Sequence, residues 1–139
     1  MNMNSKEIGA VINMINNGDT CEFNRFVQKQ ALPACGEIRL IEKNRVEWWQ
    51  HYVQVWPLKP ATKQKLMTKG SSEMIAAYTK ANKGKKLPFK DEKALLERGD
   101  AKLVEAYLSG TSFSTNAITW AADHCGKDIV NAIIAHSKK

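Results

Sequence analysis

Short apolar stripes alternate with polar breaks along this chain, in a rhythm of about 26 residues. The clearest copy runs Leu95-Leu96, a break at Gly99, then Leu103-Val104 and Tyr107-Leu108. The same order recurs as Leu66-Met67, Gly70, Met74-Ile75 and Tyr78, and as Leu40-Ile41, Asn44, Trp48-Trp49 and Tyr52-Val53. The first copy is Met14-Ile15, Gly18, Phe23 and Phe26-Val27, and the last is Ala121-Ala122, Cys125, Ile129-Val130 and Ile133-Ile134. The breaks at 18, 44, 70, 99 and 125 are therefore separated by 26, 26, 29 and 26 residues. A second marker keeps the same register. Leu32, Leu58, Leu87 and Phe113 each lie twelve residues before a break, with Pro33, Pro60 and Pro88 close behind three of them. Lys6 takes that place in the first copy, where a terminal unit is free to depart from the pattern.

Each copy predicts two short helices. Proline near the start suits a first helical turn, whose N–H has no intrahelical partner, and Ser114 is a candidate cap for the last copy. Gly or Asn at the break is suited to the left-handed conformation that ends a helix. Apolar residues four, five, eight and nine positions after the break share one helical face. Ala77, Ala106 and Ala132, seven positions after their breaks, let neighbouring helices approach closely, with His51 as the exception at that place. No period-2 run argues for strands. Helices this short do not bury their faces alone, so neighbouring pairs must stack to build a core. The expected fold is all-α: a single-domain α-solenoid of about five helical hairpins, with units near 5–31, 32–57, 58–86, 87–112 and 113–139.

These units resemble short α-solenoid repeats of the HEAT-like and leucine-rich-variant kind found in bacterial proteins. The last one, Asn116 to Val130, is similar to the helical half of an ankyrin repeat, although no unit carries a Thr-Pro-Leu-His tetrad. The resemblance implies a rigid binding surface without catalytic residues of its own.

Composition adds one asymmetry. The 139 residues carry 21 Lys+Arg against 14 Asp+Glu, a formal charge of +7. Residues 58–90 hold nine lysines (Lys59, Lys63, Lys65, Lys69, Lys80, Lys83, Lys85, Lys86 and Lys90) opposed by Glu73 alone, so the rest of the chain is near neutral. The segment Asn82 to Lys86 falls where the spacing stretches to 29, and insertions in such arrays map to surface loops. The partner expected from this charge is another protein with an acidic surface. Nucleic acid is the alternative, weakened by the lack of arginine in the patch. Lys63, Lys65, Lys69, Lys80, Lys83, Lys85 and Lys86 are the candidate contacts. Trp56, outside the apolar stripe, is the candidate exposed aromatic anchor, and His51 is the irregular surface residue beside it.

Other chemistry is sparse. Cys21, Cys35 and Cys125 are odd in number and widely spaced, which suits buried free thiols in a cytosolic protein better than disulfides or a zinc site. Asp123-His124-Cys125 contains acid, base and nucleophile types, but adjacent helical residues point in different directions and do not form a triad. Asp91-Glu92 at a helix start is explained by the helix dipole. The N-terminus lacks the pattern of a secretory signal, and no run reaches the roughly 18 apolar residues of a membrane span. The expectations are a cytoplasmic, non-enzymatic, monomeric protein with no cofactor or metal. A polar first unit, with Asn13, Asn16 and Asn17, serves as an end cap.

Overall fold

The computed structural model describes residues 4–83, 85 and 87–137. Among them lie ten helices and no strand: α1 (Ser5–Asn17), α2 (Thr20–Lys29), α3 (Ala34–Glu42), α4 (Val46–Val55), α5 (Pro60–Lys69), α6 (Ser72–Ala81), α7 (Phe89–Glu97), α8 (Ala101–Leu108), α9 (Thr115–His124) and α10 (Lys127–Ser137). The chain is all-α.

Short polar side chains and prolines fix the helix starts. Asn4, Asp19, Ser71, Asp100 and Ser114 each accept a backbone N–H of the first turn they precede, satisfying donors that no helix satisfies internally. Pro33 and Pro88 sit immediately before α3 and α7, and Pro60 is the first residue of α5. Of the Gly and Asn breaks expected to be left-handed, Gly18, Asn44 and Gly99 have φ of 74°, 52° and 68°. Gly70 does not; it is extended, as is Cys125 at the last break. Gly70 is needed for space instead, because a Cβ there would lie 2.5 Å from the Leu66 carbonyl oxygen.

Odd-numbered helices pack in sequence, α1 on α3, α3 on α5, α5 on α7 and α7 on α9, while α2, α4, α6, α8 and α10 follow one another in a second layer. The core fills the space between the layers as one apolar cluster running from Val11 to Ile133. All four residues of the stripe are buried in α4 (Trp48, Trp49, Tyr52, Val53), in α6 (Met74, Ile75, Tyr78, Thr79) and in α8 (Leu103, Val104, Tyr107, Leu108). Leu32, Leu58, Leu87 and Phe113 are buried as well. In α10 the stripe is half covered: Ile129 and Ile133 are buried, Val130 is partly exposed and Ile134 is 44% exposed.

Polar contacts tie successive helix pairs together. The Trp49 indole N–H donates to the Met74 carbonyl at 2.9 Å, and that of Trp48 to the Thr20 hydroxyl at 3.2 Å. Phe23 stacks on Trp48 with ring centroids 4.4 Å apart. Gly110 lies against the α6 backbone so closely that a Cβ would meet the Thr79 carbonyl carbon at 2.2 Å. There the Thr79 hydroxyl donates to Ala106 O at 3.3 Å.

Candidate functional site

The lysines of 58–90 are spread over three helices and the segments beside them. Lys59, Lys63, Lys65 and Lys69 belong to the start and body of α5, Lys80 to α6, Lys83 and Lys85 to the segment after it, and Lys90 to α7. Lys69 ends α5 while Lys59 precedes it, so the ten-residue helix places them about 15 Å apart, at opposite edges of the layer. Two are engaged within the protein. The Lys59 ammonium donates to Leu32 O at 2.6 Å and lies 3.6 Å from the Glu37 carboxylate, and that of Lys65 is 3.9 Å from Glu42. Lys80, Lys83 and Lys85 are exposed. Lys86 lies outside the described residues.

Trp56 is not a free anchor. It is half-buried against the core, and its indole N–H donates to Val27 O at 2.7 Å, tying the end of α4 to α2. His51 is exposed on α4. The cysteines are free, but Cys21 and Cys35 are exposed and only Cys125 is partly covered. The first two sit in first helical turns outside the buried stripe, which is why the expectation of burial fails for them. Burial raises the Cys125 thiol pKa, so its thiolate is disfavoured. His124 folds back on its own helix, with Nδ1 3.0 Å from Trp120 O and its ring stacked on that indole. Asp123, His124 and Cys125 are thus not assembled as acid, base and nucleophile. Among the described residues no group of three or more His, Cys, Asp or Glu side chains is placed to hold a metal ion, and no helix is long and apolar enough to cross a membrane.

Asp91 and Glu92 are both buried, which a dipole interaction at the start of α7 does not explain. Glu92 accepts from the Tyr107 hydroxyl at 2.6 Å, the Ser114 hydroxyl at 2.7 Å and the Ser114 N–H at 3.2 Å. The same device occurs around Glu37, which accepts from the Tyr52 and Thr62 hydroxyls at 2.5 and 2.6 Å and from the Lys59 N–H at 3.2 Å. Every partner donates, which suits a carboxylate. The two tyrosines in turn accept the N–H of Leu32 and Leu87. Burial first, and the carboxylate hydrogen bond second, raise both phenols far above their ordinary range. A recurrence at a 55-residue offset was the sequence signal for these hubs, since tyrosine follows glutamate by 15 residues in both.

Two of the open grooves exceed about 450 Å³. One, about 580 Å³, runs between α4 and α6 and is lined by Gln50, Gln54, Glu73, Ala76, Ala77, Lys80 and Ala81. Ala76 and Ala77 are its partly covered lining, the register placing small residues beside the buried stripe, and Gln50, Gln54, Glu73, Lys80 and Ala81 are exposed around them. The other, about 480 Å³, lies where the end of α7 meets the α9–α10 turn. Comparison with protein-family models, with curated proteins and with solved structures finds no match to this chain.

Proposed function

We propose that this chain is an α-solenoid of five helical hairpins acting as a non-catalytic scaffold that holds a partner protein on its even-helix layer. The observation that carries this reading is the α4–α6 groove. Its alanine lining lets a polypeptide segment approach closely, while Gln50 and Gln54 offer both donors and acceptors to a peptide backbone. Lys80 beside it supplies the charge that steers an acidic partner. The separate packing sequences of odd and even helices support the solenoid arrangement, since each pair then meets only its neighbours. An adaptor, inhibitor or immunity-type protein works in this way. The tie of Lys59 to the Leu32 carbonyl and Glu37, and the pairing of Lys65 with Glu42, take two of the lysines from a continuous phosphate track and disfavour that reading.

Affinity capture from the source cell with wild type and with Ala77→Glu, which fills the groove, tests the reading. One protein species retained by wild type and lost with Ala77→Glu supports it. Equal retention by both, with the variant folded, moves the partner off this groove. Gel-shift titration with DNA and RNA at two salt concentrations supplies the competing outcome, because phosphate binding weakens steeply as salt rises.

A further inference from the structure

Each helix pair gives one face to the pair that follows it. Four register positions belong to that face: seven and three residues before the break, and five and nine after it. Glu37, seven before its break, accepts from Thr62 of the next pair. Trp49, five after, donates to Met74 O, and Thr79, nine after, donates to Ala106 O. In the first four pairs the residues three before, five after and nine after the break are all buried, from Ile15, Phe23 and Val27 to Leu96, Val104 and Leu108.

In the last pair the four positions are Ile118, Ala122, Val130 and Ile134. Ile118 is 41% exposed and Ile134 44%, while Ala122 is exposed and Val130 partly so. The chemistry of the face changes with its exposure. Glu37 and Glu92 take hydroxyl donors at fixed places, one of them the tyrosine eight residues after the break. Their counterparts in the last pair are Ile118 and Ile133, which call only for apolar cover. The face of the first pair is different. Trp48, four after its break, meets the preceding pair, stacking on Phe23 and donating to Thr20. That position in the first pair is the exposed Glu22, with Arg25 and Lys29 close by. Seating the last pair's face on it would bury a carboxylate against isoleucines, at a cost in desolvation.

We propose that this end face receives a second copy of the chain, tail to tail about a two-fold axis. The face is self-complementary in the way a two-fold contact requires. Val130 and Ile134 are one helical turn apart on α10, and Ile118 and Ala122 one turn apart on α9. Two α10 helices meeting antiparallel therefore set each copy's Val130 over the other's Ile134. Charge favours this end over any other for self-contact. Residues 113–139 carry Lys127, Lys138 and Lys139 against Asp123 and Asp128, only +1 of the chain's +7, so two copies joined here keep their lysine-rich 58–90 segments apart. Because the first pair's face is charged, the contact closes at two copies and does not propagate. Two helices about 15 Å long and about 9 Å apart offer roughly 300–400 Å² per copy, the low end for specific interfaces, so the dimer is weak. The expected monomer is its dilute form. The α4–α6 groove lies in the second and third pairs, and the pairing does not rest on the scaffold reading.

Sedimentation velocity of wild type should show a dimer fraction that rises between about 10 µM and 1 mM and survives added salt, as apolar contact does. Ile118→Glu with Ile134→Glu, both at exposed positions, sets like charges across the axis and should weaken pairing at least about tenfold with the circular dichroism unchanged. Should that variant not fold, ¹⁵N NMR of wild type on dilution decides, with shifts expected only in α9 and α10. A single monomeric species up to about 1 mM, undiminished pairing in the folded variant, assembly beyond two copies, or dilution shifts centred on α1 and α2 overturns the proposal. Each outcome leaves partner capture by the groove to its own experiment.

Discussion

The second and third helix-pair junctions solve one problem in opposite ways. Between α3 and α5, Glu37 meets Thr62, seven positions before one break and eight before the next, and the acid is closed by three donors. Between α5 and α7 the same two positions hold Lys63 and Asp91, so the acid has crossed to the other helix and a base stands in its former place. The exchange is incomplete. Asp91 is 2% exposed with Oδ1 lacking a hydrogen-bond partner among the described residues, and Tyr78, which occupies the register position of Tyr52, is left beside it. Burial raises the Asp91 pKa, with Lys90 and Lys63 pulling it back, and burial together with the Asp91 charge raises that of Tyr78. A junction tolerates either placement of the charge, but only the glutamate arrangement uses all its polar atoms. The same contrast reassigns Lys63: it is a counter-charge to a buried acid before it is a docking residue.

Breaking the better junction has the largest expected effect. Glu37→Ala strands the Tyr52 and Thr62 hydroxyls and the Lys59 N–H, with a loss of about 3–5 kcal/mol in urea unfolding. Glu92→Ala costs less, because Ser114 is partly exposed and water replaces the lost acceptor. Tyr52→Phe, which keeps the shape and removes one hydroxyl, costs about 1–3 kcal/mol by the same measurement.

The poorer junction offers a sharper trial. Lys63→Glu alone sets a second carboxylate near Asp91 and destabilises. Lys63→Glu with Asp91→Thr supplies the hydroxyls of Tyr78 and of the introduced threonine to the new carboxylate and recovers part of the loss, the third donor being absent because Pro88 stands where Lys59 gives its N–H. A double-mutant cycle should give a favourable coupling of about 0.5–3 kcal/mol, and additive effects would refute the equivalence of the two junctions. Asp91 also predicts a pH dependence. Its folded pKa lies above the unfolded value of 3.8, so the folded state binds more protons and its contribution to stability declines as pH rises from about 3.8 through the raised value. Thermal melts of Asp91→Asn should lack this component, and identical pH profiles would count against it. The smallest effect belongs to Lys83→Glu with Lys85→Glu: both residues are exposed, and stability should change by less than about 0.5 kcal/mol.

Helix content and core were legible because both depend on short-range rules. The stripe four, five, eight and nine residues after each break is buried in α4, α6 and α8, and Ser114 caps α9 as its position predicts. What escaped were contacts that cross junctions. Trp56 reads as an unpartnered aromatic until α2 is placed beneath it, and the burial of Asp91-Glu92 depends on Tyr107, Ser114 and Lys63, none within ten residues of both. Charge counted along the chain likewise hid that Lys59 is tied to Leu32 and Glu37, residues more than twenty positions away. Gly70 carried a correct identity for the wrong reason, close approach rather than a left-handed turn.

The tryptophans that tie junctions also divide the molecule optically. Trp48, Trp49 and Trp56 all report on contacts of α4 with α2 and α6, Trp120 stands alone in α9, and residues 57–119 contain no tryptophan. Fluorescence of Trp120→Phe therefore watches the first half of the chain, and a variant retaining only Trp120 watches the last pair. Whether the two ends come apart together or in turn is thus written in two emission signals, with no label added to the chain.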